Sequence, residues 1–172
     1  AQGQPVPRIN VIFTSPVSTS PSTTAAPTAT AKTDANGVAT LSGVLANGFA
    51  GGPYTVTATA GGKSTAFTLT NTRAAQAALT ATATPNPIAY NTASTLGATG
   101  GTGSGAVTFA LDAADLTAAN YCTLAANTVT AKLAGGSCSI IATKAGDANY
   151  TPASATVVVS TTKAAQTGFA AQ

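Results

Sequence analysis

Side chains able to do chemistry are scarce in this sequence. Its 172 residues include no His, Trp or Met, and only four carboxylates. Those four are Asp34, Asp112, Asp115 and Asp147, and Glu is absent. Without imidazole there is no Ser-His-Asp or Cys-His arrangement and no His-ligated metal. Asp112 and Asp115 share one segment and could pair as carboxylates. No other acid or base lies near them in sequence, so a solvated loop is expected. Asp34-Ala35-Asn36-Gly37 and Asp147-Ala148-Asn149 place an Asp and an Asn close together. Calcium takes about six to eight oxygens, usually with several carboxylates. With one Asp each, the two stretches are expected to form turns, with weak calcium binding at a domain junction as the alternative reading. Gly101-Thr102-Gly103-Ser104-Gly105 could be taken for a phosphate cradle. A strand pattern follows it and no Lys is present, so a mobile strand-connecting loop is expected. No catalytic residue, cofactor or metal is expected, and no enzyme.

Cys122 and Cys138 are the only thiols, with 15 residues between them. They fit either an inter-strand disulfide or two buried free thiols. The disulfide is the expected state. It would stabilise by about 3 kcal/mol in the chain-entropy description and would imply an oxidising compartment.

Charged residues make up 6% of the chain, and its net charge is +3. Arg8, Lys32, Lys63, Arg73, Lys132, Lys144 and Lys163 are spread evenly, without the basic stripe a nucleic-acid surface needs, so no nucleic-acid partner is expected. No run of about 18 apolar residues exists, and no membrane insertion is expected. The chain begins Ala1-Gln2-Gly3-Gln4-Pro5, without a basic and apolar leader, and reads as a cut from something larger.

These residues must be held by strands. Ala and Thr supply 40 and 33 residues, and they alternate, as in Tyr54–Ala60 and Leu79–Thr84. Period-2 alternation with β-branched Thr outweighs the helix preference of Ala. The tetrapeptide Arg73-Ala74-Ala75-Gln76 recurs as Lys163-Ala164-Ala165-Gln166, 90 positions later. That spacing suits stacked autonomous domains. It predicts a domain at 1–72 lacking part of its start, a complete domain at 73–162, and the start of a following repeat or tail at 163–172. Seven strands are predicted in the second domain: 78–84, 93–99, 106–111, 121–125, 128–133, 138–144 and 154–161. Five are predicted in the first: 8–14, 28–33, 37–45, 54–60 and 64–71. Thr14–Thr30, rich in Ser, Thr and Pro, is expected to be an extended connection. Seven short strands in about 90 residues suit an immunoglobulin-like sandwich. Junctions such as Asn71-Thr72-Arg73 contain no Gly/Ser run, and a stiff rod is expected.

Thr33-Asp34-Ala35-Asn36-Gly37-Val38-Ala39-Thr40, Ala50-Gly51-Gly52-Pro53-Tyr54-Thr55-Val56-Thr57-Ala58 and Phe67-Thr68-Leu69-Thr70-Asn71 together resemble bacterial immunoglobulin-like domains of the invasin/intimin type. Gly3-Gln4-Pro5-Val6-Pro7 is similar to a segment that follows the opening strands in that family. The second domain resembles another bacterial immunoglobulin-like repeat through Ala98–Phe109, Gly136-Ser137-Cys138-Ser139-Ile140 and Ala145–Tyr150. The resemblance implies tandem all-β sandwiches, the first lacking its opening strand or strands. It also implies a spacer role in an extracellular adhesin at a bacterial cell surface. The partners implied are neighbouring domains of the same protein. Two rivals stand beside this. In one, the loops bind a glycan or host protein, with Phe49, Tyr90, Tyr121 and Tyr150 as the aromatic candidates. In the other, the incomplete first domain accepts a strand from an identical chain, with Gly168-Phe169-Ala170 as one donor.

Overall fold

The computed structural model describes residues 4–25 and 27–166. The donor candidate Gly168-Phe169-Ala170 and the start of the Gly3–Pro7 segment lie outside them. Contacts divide the chain into two compact units, Ala1–Arg73 and Ala74–Gln172.

The first unit is a single antiparallel sheet built from β1 (Asn10–Thr14), β2 (Thr28–Lys32), β3 (Gly51–Ala60) and β4 (Lys63–Asn71). The strands lie in the order β2-β1-β3-β4. Gly61 and Gly62 join β3 to β4 with φ of 54° and 75°. Both values are left-handed, which Gly adopts freely, and they define the tight hairpin turn whose twist matches its strands. Val56 and Ala58 are buried on alternate positions of β3, as a period of two requires.

Two expectations fail in this unit. The strand predicted at 37–45 does not form; only isolated bridges, Thr33 with Ala39 and Thr23 with Ala46, mark the region. A strand exists only with a neighbour to pair with, and among the described residues no second sheet offers one. Among the described residues the unit forms one four-stranded sheet. The unpaired stretch lies over the sheet face instead. Ala39, Leu41 and Val44 line a cavity of about 330 Å³ together with Phe13, Val56, Phe67 and Leu69.

The Ser/Thr-rich connection is also not extended throughout: it turns at residues 18–19 and 24–25. Ser22 is fully buried; its hydroxyl donates to the Pro16 carbonyl at 2.8 Å. Asn71, buried at the end of β4, donates from Nδ2 to the carbonyls of Ser22 (2.9 Å) and Phe49 (3.0 Å) and to Asn47 Oδ1 (3.1 Å). Its Oδ1 accepts the Tyr54 hydroxyl at 2.8 Å. One amide thus ties the connection, the β2–β3 loop and β3 to the last strand, as a buried polar network must when every member is satisfied.

The second unit has two four-stranded sheets. One has the order β5 (Leu79–Thr84), β7 (Ala93–Gly100), β10 (Thr128–Ala131), β9 (Cys122–Ala125). The other has the order β6 (Ile88–Ala89), β12 (Ala153–Thr162), β11 (Ser137–Lys144), β8 (Val107–Leu111). A one-turn helix, α1 (Ala118–Tyr121), leads into β9. The seven predicted strands are present within a residue or two of their expected ends. Two short elements were not anticipated, β6 and α1. β6 is two residues long between Pro87 and Tyr90, and it pairs in parallel with Thr161 and Thr162.

The sheets face each other across one core. Leu96, Cys122, Val129 and Ala131 come from the first sheet, and Ile88, Cys138, Ile140 and Val159 from the second. Cys138, Ile140 and Ala142 alternate with half-buried neighbours along β11, so every second side chain points inward. This is an all-β sandwich.

Candidate functional site

The strands of the second unit end together where Leu79 pairs with Gly100 and Lys144 pairs with both Val107 and Ala153. Three connections therefore meet at this end: residues 74–78, 101–106 and 145–152. They contain three features picked out in the sequence, the Ala74-Ala75-Gln76 repeat, the glycine-rich stretch and Asp147-Ala148-Asn149.

Asp147 is the centre. Its Oδ1 accepts the amides of Asn149 and Tyr150, both at 2.9 Å. Its Oδ2 accepts the Ser104 amide at 2.7 Å and the Ser104 hydroxyl at 3.1 Å. Gln76 is the second clamp. Its Nε2 donates to the carbonyls of Ala145 and Thr151, both at 3.0 Å, while Oε1 accepts the Gly103 amide at 3.0 Å. Lys144 Nζ donates to the Gly101 carbonyl at 3.2 Å. Ala74 adds backbone bonds of 2.9 Å to Asn149 and Thr151. The glycine-rich loop is thus pinned from three sides, where a mobile loop was expected. Gly105 passes so close to the Ala145 carbonyl that a Cβ there would collide with its oxygen.

Four donors to one carboxylate favour its ionised form. The Ser104 amide, then the Asn149 amide, hold the Asp147 pKa down at about 2 from 3.8. A depressed carboxylate stabilises the fold fully above its unfolded pKa, and the contribution is lost as pH falls through the folded one. Asp147→Asn is therefore expected to lower the melting temperature at pH 7 but to narrow its gap from the unsubstituted chain between pH 4 and 2. Thermal melts across that range check this; a gap independent of pH would contradict it.

The other Asp side chains do turn-building work. Asp34 Oδ1 accepts the amides of Asn36 (2.8 Å) and Val38 (2.9 Å). Asp112 Oδ1 accepts the Ala114 amide at 2.9 Å. Asp115 binds Thr117 through Oδ1 and the Ser139 amide through Oδ2 at 3.0 Å. The Ser139 amide leads the causes that lower its pKa. Asp112 and Asp115 therefore serve separate amides and do not form a carboxylate pair. Among the described residues, no three potential metal-ligating side chains gather.

Cys122 and Cys138 form a disulfide with 6.2 Å between their Cα atoms. It joins β9 to β11, and so one sheet to the other, and both residues are buried. Of the aromatic candidates, Tyr150 takes part in the Asp147 cluster through its backbone. Tyr90 and Tyr121 flank the far end of β10, where the Asn91 amide donates to the Ala131 carbonyl and the Lys132 amide to the Tyr121 carbonyl. Phe49 is in the first unit. The three in the second unit do not form one aromatic surface.

Gln76 and Ser104 escaped the sequence reading as site residues, as did the Asn47–Asn71–Tyr54 network. The repeated tetrapeptide and the closing Phe67–Asn71 motif contained the signal for two of them, Gln76 and Asn71. No family profile, curated protein or solved structure matches the chain.

Proposed function

We propose that this chain is a non-enzymatic spacer segment of a bacterial extracellular adhesin or surface fibre, built from tandem immunoglobulin-like domains that hold a binding element away from the cell. The observation that carries the reading is the tetrapeptide repeat. Where it opens the second unit, Ala74 and Gln76 are bonded into the 145–152 connection. Where it recurs, Lys163–Gln166 follow β12 and are exposed. The same residues would seat on the equivalent connection of a following domain, each unit starting with the peptide that closes its own pole.

The strand order supports the immunoglobulin-like assignment. β5-β7-β10-β9 opposite β12-β11-β8 corresponds to the A-B-E-D and G-F-C sheets of that sandwich. The buried disulfide suits an oxidising, extracellular setting. The polar side chains at the best-organised end are spent on internal loop bonds, which suits a structural part more than a catalytic one. The test is limited proteolysis of the folded chain with trypsin. A spacer built for exposure should survive conditions that digest the urea-unfolded chain, and rapid cleavage at the seven Lys and Arg residues would count against it.

A second reading, a ligand-binding module, has one observation in its favour. Thr117, Asn120, Tyr121, Lys132 and Leu133 line an open cleft of about 500 Å³, combining an aromatic face with polar groups. A glycan and host-protein binding screen separates it from a spacer: a specific hit lost in Tyr121→Ala would favour binding.

A further inference from the structure

The tripeptide Ala-Asn-Gly occurs twice, as Ala35-Asn36-Gly37 and Ala46-Asn47-Gly48, both in the first unit. Asn is a thermolabile side chain, and a following Gly makes it more so. With no Cβ on the Gly, its backbone nitrogen reaches the Asn carboxamide carbon without obstruction. Once that nitrogen has lost its proton it attacks Cγ. The bond from Cγ to the side-chain nitrogen then breaks, and ammonia leaves. Water opens the five-membered imide that results. Opening at the side-chain carbonyl gives aspartate, and opening at the main-chain carbonyl gives isoaspartate, whose backbone runs through the former side chain. No enzyme, metal or oxidant takes part. The reaction needs a side chain able to turn toward the next amide, so the fold decides where it happens.

The fold treats the two sites differently. Asn47 is held at both ends of its carboxamide. Its Oδ1 accepts the amides of Ser22 (3.2 Å) and Phe49 (3.3 Å) and Nδ2 of Asn71 (3.1 Å). Its Nδ2, the group that would leave, donates to the carbonyls of Ser20 (2.8 Å) and Ser18 (3.4 Å). Turning Cγ toward the Gly48 nitrogen breaks these bonds, including the tie to the buried Asn71 network. Asn36 is the reverse case. It is exposed, and among the described residues its carboxamide has no hydrogen-bond partner. The turn uses only its backbone amide, which donates to Asp34 Oδ1 at 2.8 Å. The Gly37 amide donates to the Asp34 carbonyl at 3.0 Å. That is one bond in a surface turn, and such bonds open at little cost.

We propose that Asn36 is a spontaneous deamidation site of the folded chain, and that the bonds around Asn47 protect its identical tripeptide. Each conversion at Asn36 removes one unit from the net charge of +3 and sets a second carboxylate two residues from Asp34. The aspartate product keeps the turn, because the turn takes nothing from the Asn36 carboxamide. The isoaspartate product adds a methylene to the backbone at the turn's tightest point. Gly37 there has a φ of 75°, and a Cβ placed on it would come within 3.1 Å of Pro5. The bonds this disturbs are those from the Asp34 amide to the Val38 carbonyl and from the Val38 amide to Asp34 Oδ1, both 2.9 Å. They close the turn beside the Thr33–Ala39 bridge. The site does not depend on the spacer reading.

The experiment is incubation of the full chain at mildly alkaline pH, folded and in urea, followed by tryptic peptide mapping with tandem mass spectrometry. An unincubated sample sets the baseline. Both sites fall in the peptide from Thr33 to Lys63, and fragmentation tells one from the other. In the folded chain, Asn36 is expected to convert at least about tenfold faster than Asn47, whose reaction must wait for a local opening. Isoaspartate should be among the products, with a matching acidic species on isoelectric focusing. In urea the two rates should approach each other, since the tripeptides are then alike. Asn36→Gln leaves the turn bonds in place and should abolish the acidic species of the folded chain. An intact Asn36 in the folded chain would overturn the proposal. So would equal conversion at the two sites when folded, or an acidic species that persists in Asn36→Gln.

Discussion

Ile140→Ala is expected to remove about 2–5 kcal/mol of stability from the second unit. Ile140 has no exposed surface and sits mid-strand, with Val157 beside it on β12 and Leu111 on β8. Its side chain reaches the core shared with Leu96 and Val129 of the facing sheet. Truncation loses the transfer free energy of the removed carbons and leaves a cavity that two hydrogen-bonded neighbours hold open. Domains of this size are stable by only about 5–15 kcal/mol, so the loss is a large share of the whole. Urea unfolding followed by far-UV circular dichroism measures it, since no Trp is present to report by fluorescence. Ile141→Ala, one residue on and only half-buried, is the control and should cost clearly less. Equal losses would mean that the inward alternation along β11 is misassigned.

Replacing both cysteines, Cys122→Ala with Cys138→Ala, is expected to cost about 3 kcal/mol from the loss of loop closure alone. The loop spans 16 positions and includes all of β9 and β10, so its release frees an edge strand of one sheet from a central strand of the other. In a domain of about 100 residues, a loss of this size corresponds to a drop in melting temperature of roughly 12–24 °C. Because both sulfurs are buried, dithiothreitol should reduce the native chain slowly and the urea-unfolded chain at once. A thermal melt of the double variant within about 2 °C of the unsubstituted chain would be at odds with this loop-closure figure. The two effects should not add in a combined variant, since Ile140 and Cys138 share one core.

Strand positions in the second unit were legible because Ala and Thr alternate with a period of two and Gly, Pro and Asn interrupt them at short intervals. The same signal misled at 37–45. Val38, Thr40 and Leu41 favour extended backbone, but propensity reports what a residue tolerates and not whether a neighbouring strand is there to pair with it. β6 was invisible for a related reason: two residues hemmed by Pro87 carry no periodicity, and their pairing partner is more than 70 positions away. At the candidate site, Asp147 and the glycine-rich loop were noticed separately as turn chemistry. That they converge, with Gln76 between them, depends on where the sheets end, and no local pattern contains that information. The inter-sheet disulfide was one of two readings the spacing allowed, and the burial of both sulfurs between the sheets was not readable from it.

The parallel pairing of β6 with β12 bears on how the second unit meets tension. Parallel strands near the two ends of a unit are drawn in opposite directions along their own axes when those ends are pulled. Their bonds then resist in shear and must fail together, where a hairpin opened from its end breaks them one after another. Asn86 lengthens the contact, with Nδ2 donating to the Val158 carbonyl at 2.8 Å and Oδ1 accepting the Ser160 amide at 3.1 Å. One side-chain amide thus does the work of an added pair of strand residues. In single-molecule pulling from residues 74 and 166, Asn86→Ala is expected to lower the rupture force of this unit far more than its equilibrium stability. The shortest strand among the described residues would then be the latch that sets the tensile strength of this unit.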